Sequence, residues 1–155
     1  MLRWNGSSWT QQALPAFDGN LRRVKLNDVV AVSSNDVWVV GVGFSWQSFT
    51  LVPYLLHWNG QSWQQSTIPN PPYGEFNGVT ALSPTKVYAV GWKNSETLVA
   101  RWNGSTWSQE STPSPDAANN LVDATAAGTG TVWGAGYRHG PDGVLTTLAI
   151  RTTNG

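Results

Sequence analysis

The chain has 155 residues, nine Lys and Arg against nine Asp and Glu, and no Cys. That length suits one domain able to bury ~68–70% of its unfolded surface; a net charge of zero argues against a nucleic-acid partner or an acidic membrane surface, since both need a basic face. The absence of Cys removes disulfides, thiolate nucleophiles and Cys-based metal sites, no run of ~18 apolar residues spans a membrane, and the Met1-Leu2-Arg3-Trp4 start lacks the apolar region of a signal peptide.

In chain order, the first expected elements are a strand end at Arg3-Trp4 and a strand through Ser8, Trp9, Thr10, Gln11 and Gln12, joined by Asn5-Gly6. Asn-Gly tolerates the positive φ angles of a type I′ hairpin turn. The basic cluster Arg22-Arg23-Val24-Lys25 reads as a solvated loop. A strand over Val29–Ser33 turns at Ser34-Asn35 into Asp36-Val37-Trp38-Val39-Val40-Gly41. A connection containing Trp46 leads to a third strand ending Leu56-His57-Trp58, and Asn59-Gly60 turns it into a fourth beginning Ser62-Trp63. A Pro-rich loop follows. The same order returns as Gly78–Ser83, Lys86–Gly91, Thr97–Trp102, Asn103-Gly104 and Thr106-Trp107, then as Leu121–Ala126, Thr131–Gly136 and Val144–Arg151, with a worn Asn-Gly at 154–155. No stretch sustains a helical period, so the class is all-β.

The chain is rich in Trp, ten of 155 residues, and most of them recur with these units. Trp4, Trp58 and Trp102 share one position, at spacings of 54 and 44 residues; Trp9, Trp63 and Trp107 share a second, and Trp38, Tyr88 and Trp133 a third. Four-stranded units of ~40–50 residues are the signature of propeller blades. The run Asp-Val-Trp-Val-Val-Gly, then Leu-His-Trp-Asn-Gly-Gln-Ser-Trp, then a Pro-rich loop resembles bacterial kelch-type or galactose-oxidase-like β-propeller repeats. The expectation is one three-blade domain over residues 1–155, with blades at about 27–66, 77–111 and 121–151. Propellers close with ~4–8 blades, so the expected assembly is a six-bladed homodimer in which the strand Ser8–Gln12 of one copy completes the third blade of the other. The alternative fold is a β-trefoil.

The nine in-register aromatics Trp4, Trp9, Trp38, Trp58, Trp63, Tyr88, Trp102, Trp107 and Trp133 are expected to pack between blades. Trp46 and Trp92 stand out of register. With Tyr137, Arg138 and His139 they fall where the second strand passes to the third, a connection that the resemblance places on the ligand-binding face. These five are the candidate ligand contacts. His57 shares a slot with Arg3 and Arg101 and reads as a surface residue; Asp123, placed opposite Ala31 and Thr80, reads as a carboxylate facing a central channel. No metal-ligand spacing, nucleophile elbow or phosphate loop is present, and galactose oxidase chemistry needs a Cys that the chain lacks. No cofactor and no metal are expected. The function expected is a non-enzymatic scaffold or binding module; the second expectation is a lectin binding a glycan through its loop aromatics.

Overall fold

The computed structural model, described for residues 1–16, 21–128 and 130–152, contains strands and turns. The hairpin β1 (Leu2–Trp4) and β2 (Trp9–Gln11) forms a sheet by itself. A first blade follows: β3 (Leu21–Ser33), β4 (Asp36–Ser45), β5 (Thr50–Trp58) and β6 (Trp63–Ser66). The second is β7 (Gly74–Ser83), β8 (Lys86–Lys93), β9 (Glu96–Trp102) and β10 (Trp107–Glu110). The third is β11 (Ala118–Ala127), β12 (Thr131–His139) and β13 (Leu145–Thr152). Every pairing is antiparallel between chain neighbours, and the innermost strands β3, β7 and β11 lie side by side. Separate sheets stacked face against face exclude the trefoil.

Alternation along the central strands explains the stacking. Trp38, Val40 and Leu55 leave the first blade on one face and meet Val87, Ala89, Leu98, Ala100 and Trp107 of the second. Tyr88, Val90 and Val99 leave the second and meet Leu121, Val132 and Leu148 of the third. Trp38 is 1% exposed; burying an indole removes ~150–250 Å2 from water, worth about 4–6 kcal/mol before entropy.

The inner strands carry a repeated bulge. Asn27 is the extra residue between Leu26 and Asp28, and Asn77 the extra residue between Phe76 and Gly78. Each side-chain amide reaches the next blade: Asn27 Nδ2 donates to the Phe76 carbonyl at 2.7 Å, and Asn77 Nδ2 to the Leu121 carbonyl at 2.8 Å. The glycine opposite each bulge is obligatory. A Cβ on Gly91 would sit 1.9 Å from the Glu75 carbonyl oxygen, and one on Gly136 1.9 Å from that of Asn120. This close approach accounts for the Val-Gly that ends the second-strand motif.

Several expectations are corrected. The third blade's bulge falls on Val122, so Asp123 pairs with Ala135 in the slot of Asp28, not opposite Ala31 or Thr80. His57 is half-buried, stacked on Trp38 at 4.0 Å and held by Asp36 at 2.8 Å. The Asn-Gly hairpins have positive φ at Gly6, Gly60 and Gly104 alone, so they are not type I′. Their Asn instead caps the turn: Asn5 Oδ1 accepts from the backbone N–H groups of Ser7 and Ser8 at 2.9 and 2.8 Å. Residues 154–155, expected as a further turn, lie outside the described residues.

The strand expected to complete a partner's third blade forms a hairpin with β1 and has no strand on its other edge among the described residues. Ser8 lies in the turn, Trp9, Thr10 and Gln11 pair with Trp4, Arg3 and Leu2, and Gln12 N–H donates to the Met1 carbonyl at 2.8 Å. The hairpin lies against the first blade, with Met1 packed on the cluster of Val39, Tyr54 and Leu56 and the Arg3 guanidinium 5.6 Å from the Trp58 ring. Its indoles Trp4 and Trp9 remain 50% and 65% exposed. Trp133, in the slot of Trp38, is 45% exposed because no described blade covers its face. Trp58 and Trp107 are buried, and Trp63 and Trp102 are half-buried.

Candidate functional site

The first blade is longer than the second, and that difference makes a site. Counted from the shared glycines, β4 runs to Ser45, two residues further than β8, which stops at Lys93; at ~3.3 Å per residue its tip rises about 7 Å higher. β5 likewise has 9 residues against 7 in β9. The face of the first blade that carries Trp38 and Val40 against the second blade therefore continues above it, uncovered.

Register identifies the side chains of this blade end. Arg23, Phe44 and Leu51 stand opposite one another across β3, β4 and β5 on the overhang. Lys25, Val42 and Pro53 form the next row on the same face, beneath the overhang, with Val42 buried and level with Trp92 of β8. Arg22 is displaced by a bulge between Leu21 and Arg23, and its guanidinium lies 4.4 Å from the Trp46 ring centroid. Phe44 and Phe49 meet that indole edge-on at 6.1 and 5.3 Å. The result is a groove of about 1080 Å3 lined by Arg22, Arg23, Val24, Lys25, Val42, Gly43, Phe44, Trp46 and Leu51. The cationic side is β3; the apolar side is β4 and β5.

Among the described residues, no carboxylate lines the groove and neither Arg22 nor Arg23 has an ion-pair partner. Lys25 Nζ is 3.7 Å from Glu75 Oε1 of the second blade, with its own side chain 74% exposed. Glu75 also accepts from Asn27 Nδ2 at 2.7 Å. The basic cluster expected to be a loop is thus strand, and it forms one wall of the site. Its register with Phe44 could not be counted without locating the bulge.

Of the five candidate contacts, only Trp46 lines the groove. It lies in the turn after β4, exposed by 41%. Trp92 is within β8 rather than a loop and meets Tyr73 edge-on at 5.3 Å. Tyr137, Arg138 and His139 are all within β12. Tyr137 Oη accepts from Asn120 Nδ2 at 3.0 Å, Arg138 pairs with Asp116 at 2.6 Å, and His139 meets the Tyr137 ring edge-on at 5.8 Å. Trp92 and Tyr137 share the slot of Val42, one residue after the bulge glycine. All five stand at the same end of their blades, but the structure gathers one of them with the basic cluster and leaves four in local contacts.

No family model matches the chain, and no curated protein does. Among solved structures, it is similar to YCF48 bound to D1 peptide, at a TM-score of 0.51 and 22% identity, over 87% of this chain and 46% of that one. It is also similar to a fucose lectin from Kordia zhangzhouensis in complex with methyl-fucoside, at a TM-score of 0.50 and 15% identity, over 79% of this chain and 90% of that one. Both are β-propeller-type proteins. The fold is of the β-propeller type. The chain spans about half the length of the YCF48 chain that it matches. At these identities the likeness concerns the path of the backbone, and the overhang is a property of this chain's own strand lengths.

Proposed function

We propose that this chain is a non-enzymatic binding module whose ligand sits at the blade end that carries Trp46. The observation carrying this reading is the overhang groove, where an exposed indole, apolar side chains and three cations converge. Ligand sites are typically concave, largely apolar and furnished with few oriented polar groups, at ~300–1,000 Å3. Both structural neighbours were solved with something bound, a peptide in one and methyl-fucoside in the other, which supports a binding role. Screening the labelled chain against peptide and glycan arrays, with Trp46→Ala alongside, tests it. Ligands lost on substitution are expected; arrays blank for both forms reject it.

A lectin is the second reading, favoured by the exposure of Trp46, since indoles stack on pyranose faces. Binding confined to glycans would establish it over the peptide alternative. Assembly into a homodimeric ring belongs to the same proposal. It is supported by the outer edge of β13, which pairs with no strand among the described residues, and by the exposed indoles of Trp133, Trp4 and Trp9. A solution mass of one chain at every concentration would remove it.

A further inference from the structure

We infer that the overhang groove recognises an extended acidic peptide segment, with carboxylates at positions i and i+2 and apolar side chains beside them. This rests on the binding-module reading and adds the chemistry of its ligand. Arg23 and Lys25 are two residues apart on one strand, so both leave the same face, spaced by ~6.6 Å. An extended peptide repeats its own side chains at that interval, so carboxylates two apart meet both cations in charge-assisted hydrogen bonds. Both cations can engage a ligand: Lys25, in a 3.7 Å ion pair with Glu75 that is longer than a hydrogen bond, keeps its side chain 74% exposed, and Arg23 is exposed with no ion-pair partner among the described residues.

The neighbouring columns complete the match. Phe44 and Leu51 continue the row of Arg23, and Val42 continues that of Lys25. The ligand therefore needs charge along one side and apolar bulk along the other. The groove, at about 1080 Å3, is large enough for several residues of an extended segment. The surroundings of Trp46 favour a peptide over a sugar. Arg22 lies over the indole at 4.4 Å, and two Phe rings press it edge-on. The cation–π pair fixes a third positive charge at the mouth of the groove instead of leaving a bare stacking platform.

The probe is a dye-labelled, amidated Leu-Glu-Val-Glu-Leu peptide, read by fluorescence anisotropy at low and raised salt. Its controls are Leu-Gln-Val-Gln-Leu, Leu-Glu-Glu-Val-Leu and an oligoglucuronate. The first peptide is expected to bind about tenfold or more tightly than either peptide control and to weaken with salt. Arg23→Gln and Lys25→Gln are each expected to lose about tenfold while leaving the unfolding midpoint unchanged, since both side chains are exposed. Equal binding of the Gln peptide, indifference to spacing, or binding of the oligoglucuronate alone overturns the inference. If no acidic peptide binds but another ligand does and Trp46→Ala removes it, the peptide chemistry falls and the binding module stands. If every array and probe is blank, both fall.

Discussion

Trp38 meets Trp102 at 5.0 Å and Trp107 at 5.1 Å, with His57 stacked at 4.0 Å. Its indole N–H finds no acceptor among the described residues, so the ring acts as apolar mass rather than as a donor. Trp38→Ala is expected to cost ~3–5 kcal/mol in urea unfolding, through lost transfer energy and the cavity left behind. Trp133→Ala, in the same slot, is expected to cost less than ~1 kcal/mol, as exposed substitutions do. Equal losses would mean that the slot, not the opposing blade, decides the stability. Slot identity is legible in the sequence because Val-aromatic pairs recur before each Val-Gly or Ala-Gly. Burial is not, because it depends on what faces the ring. His57 shows the same limit: Asp36 and Trp38, which half-bury it, are 21 and 19 positions away.

The bulge is the element that joins one blade to the next. Asn77→Ala is expected to lower stability by ~1–3 kcal/mol, because the Leu121 carbonyl then loses a partner at a part-buried site. An unchanged denaturant midpoint would assign Asn77 to the bend alone. Gly91→Ala is the harsher change, since the added carbon would overlap the Glu75 carbonyl oxygen of its own sheet. It is expected to leave little folded protein in circular dichroism, and a native spectrum with an unchanged midpoint would refute the close-approach argument. Hairpins and strands are readable from alternation and from Asn-Gly. Bulges are not, because one inserted residue breaks the period of two that reveals a strand. That is why Arg22–Lys25 reads as a loop. The offset at Asp123 has a similar origin: the first two blades carry an extra residue, Val32 or Leu82, before the turn, whereas the third pairs without a shift from Asp123 to Ala127.

At the scale of the whole molecule, the threefold recurrence made the propeller architecture legible. The groove was hidden because it comes from a two-residue difference in strand length between neighbouring blades, visible only once the register is known. The balanced charge also acts at this scale. With a pI of about 6.7, the chain is expected to be least soluble near neutral pH and more soluble on either side, where like charges keep copies apart. Turbidity that is flat with pH would show that the exposed indoles govern association instead. The amide latches have a further property. Asn27 donates from the first blade to the second, and Asn77 from the second to the third; neither link runs backwards. At the first junction the second blade also answers, Val79 N–H donating to Asp28 Oδ2 at 2.8 Å, so the two sides of a junction carry unlike groups. A second blade turned over would present neither the Phe76 carbonyl to Asn27 nor the Val79 N–H to Asp28. The latches set the sense in which blades follow one another, and so the hand of the arc, independently of how well the indoles pack.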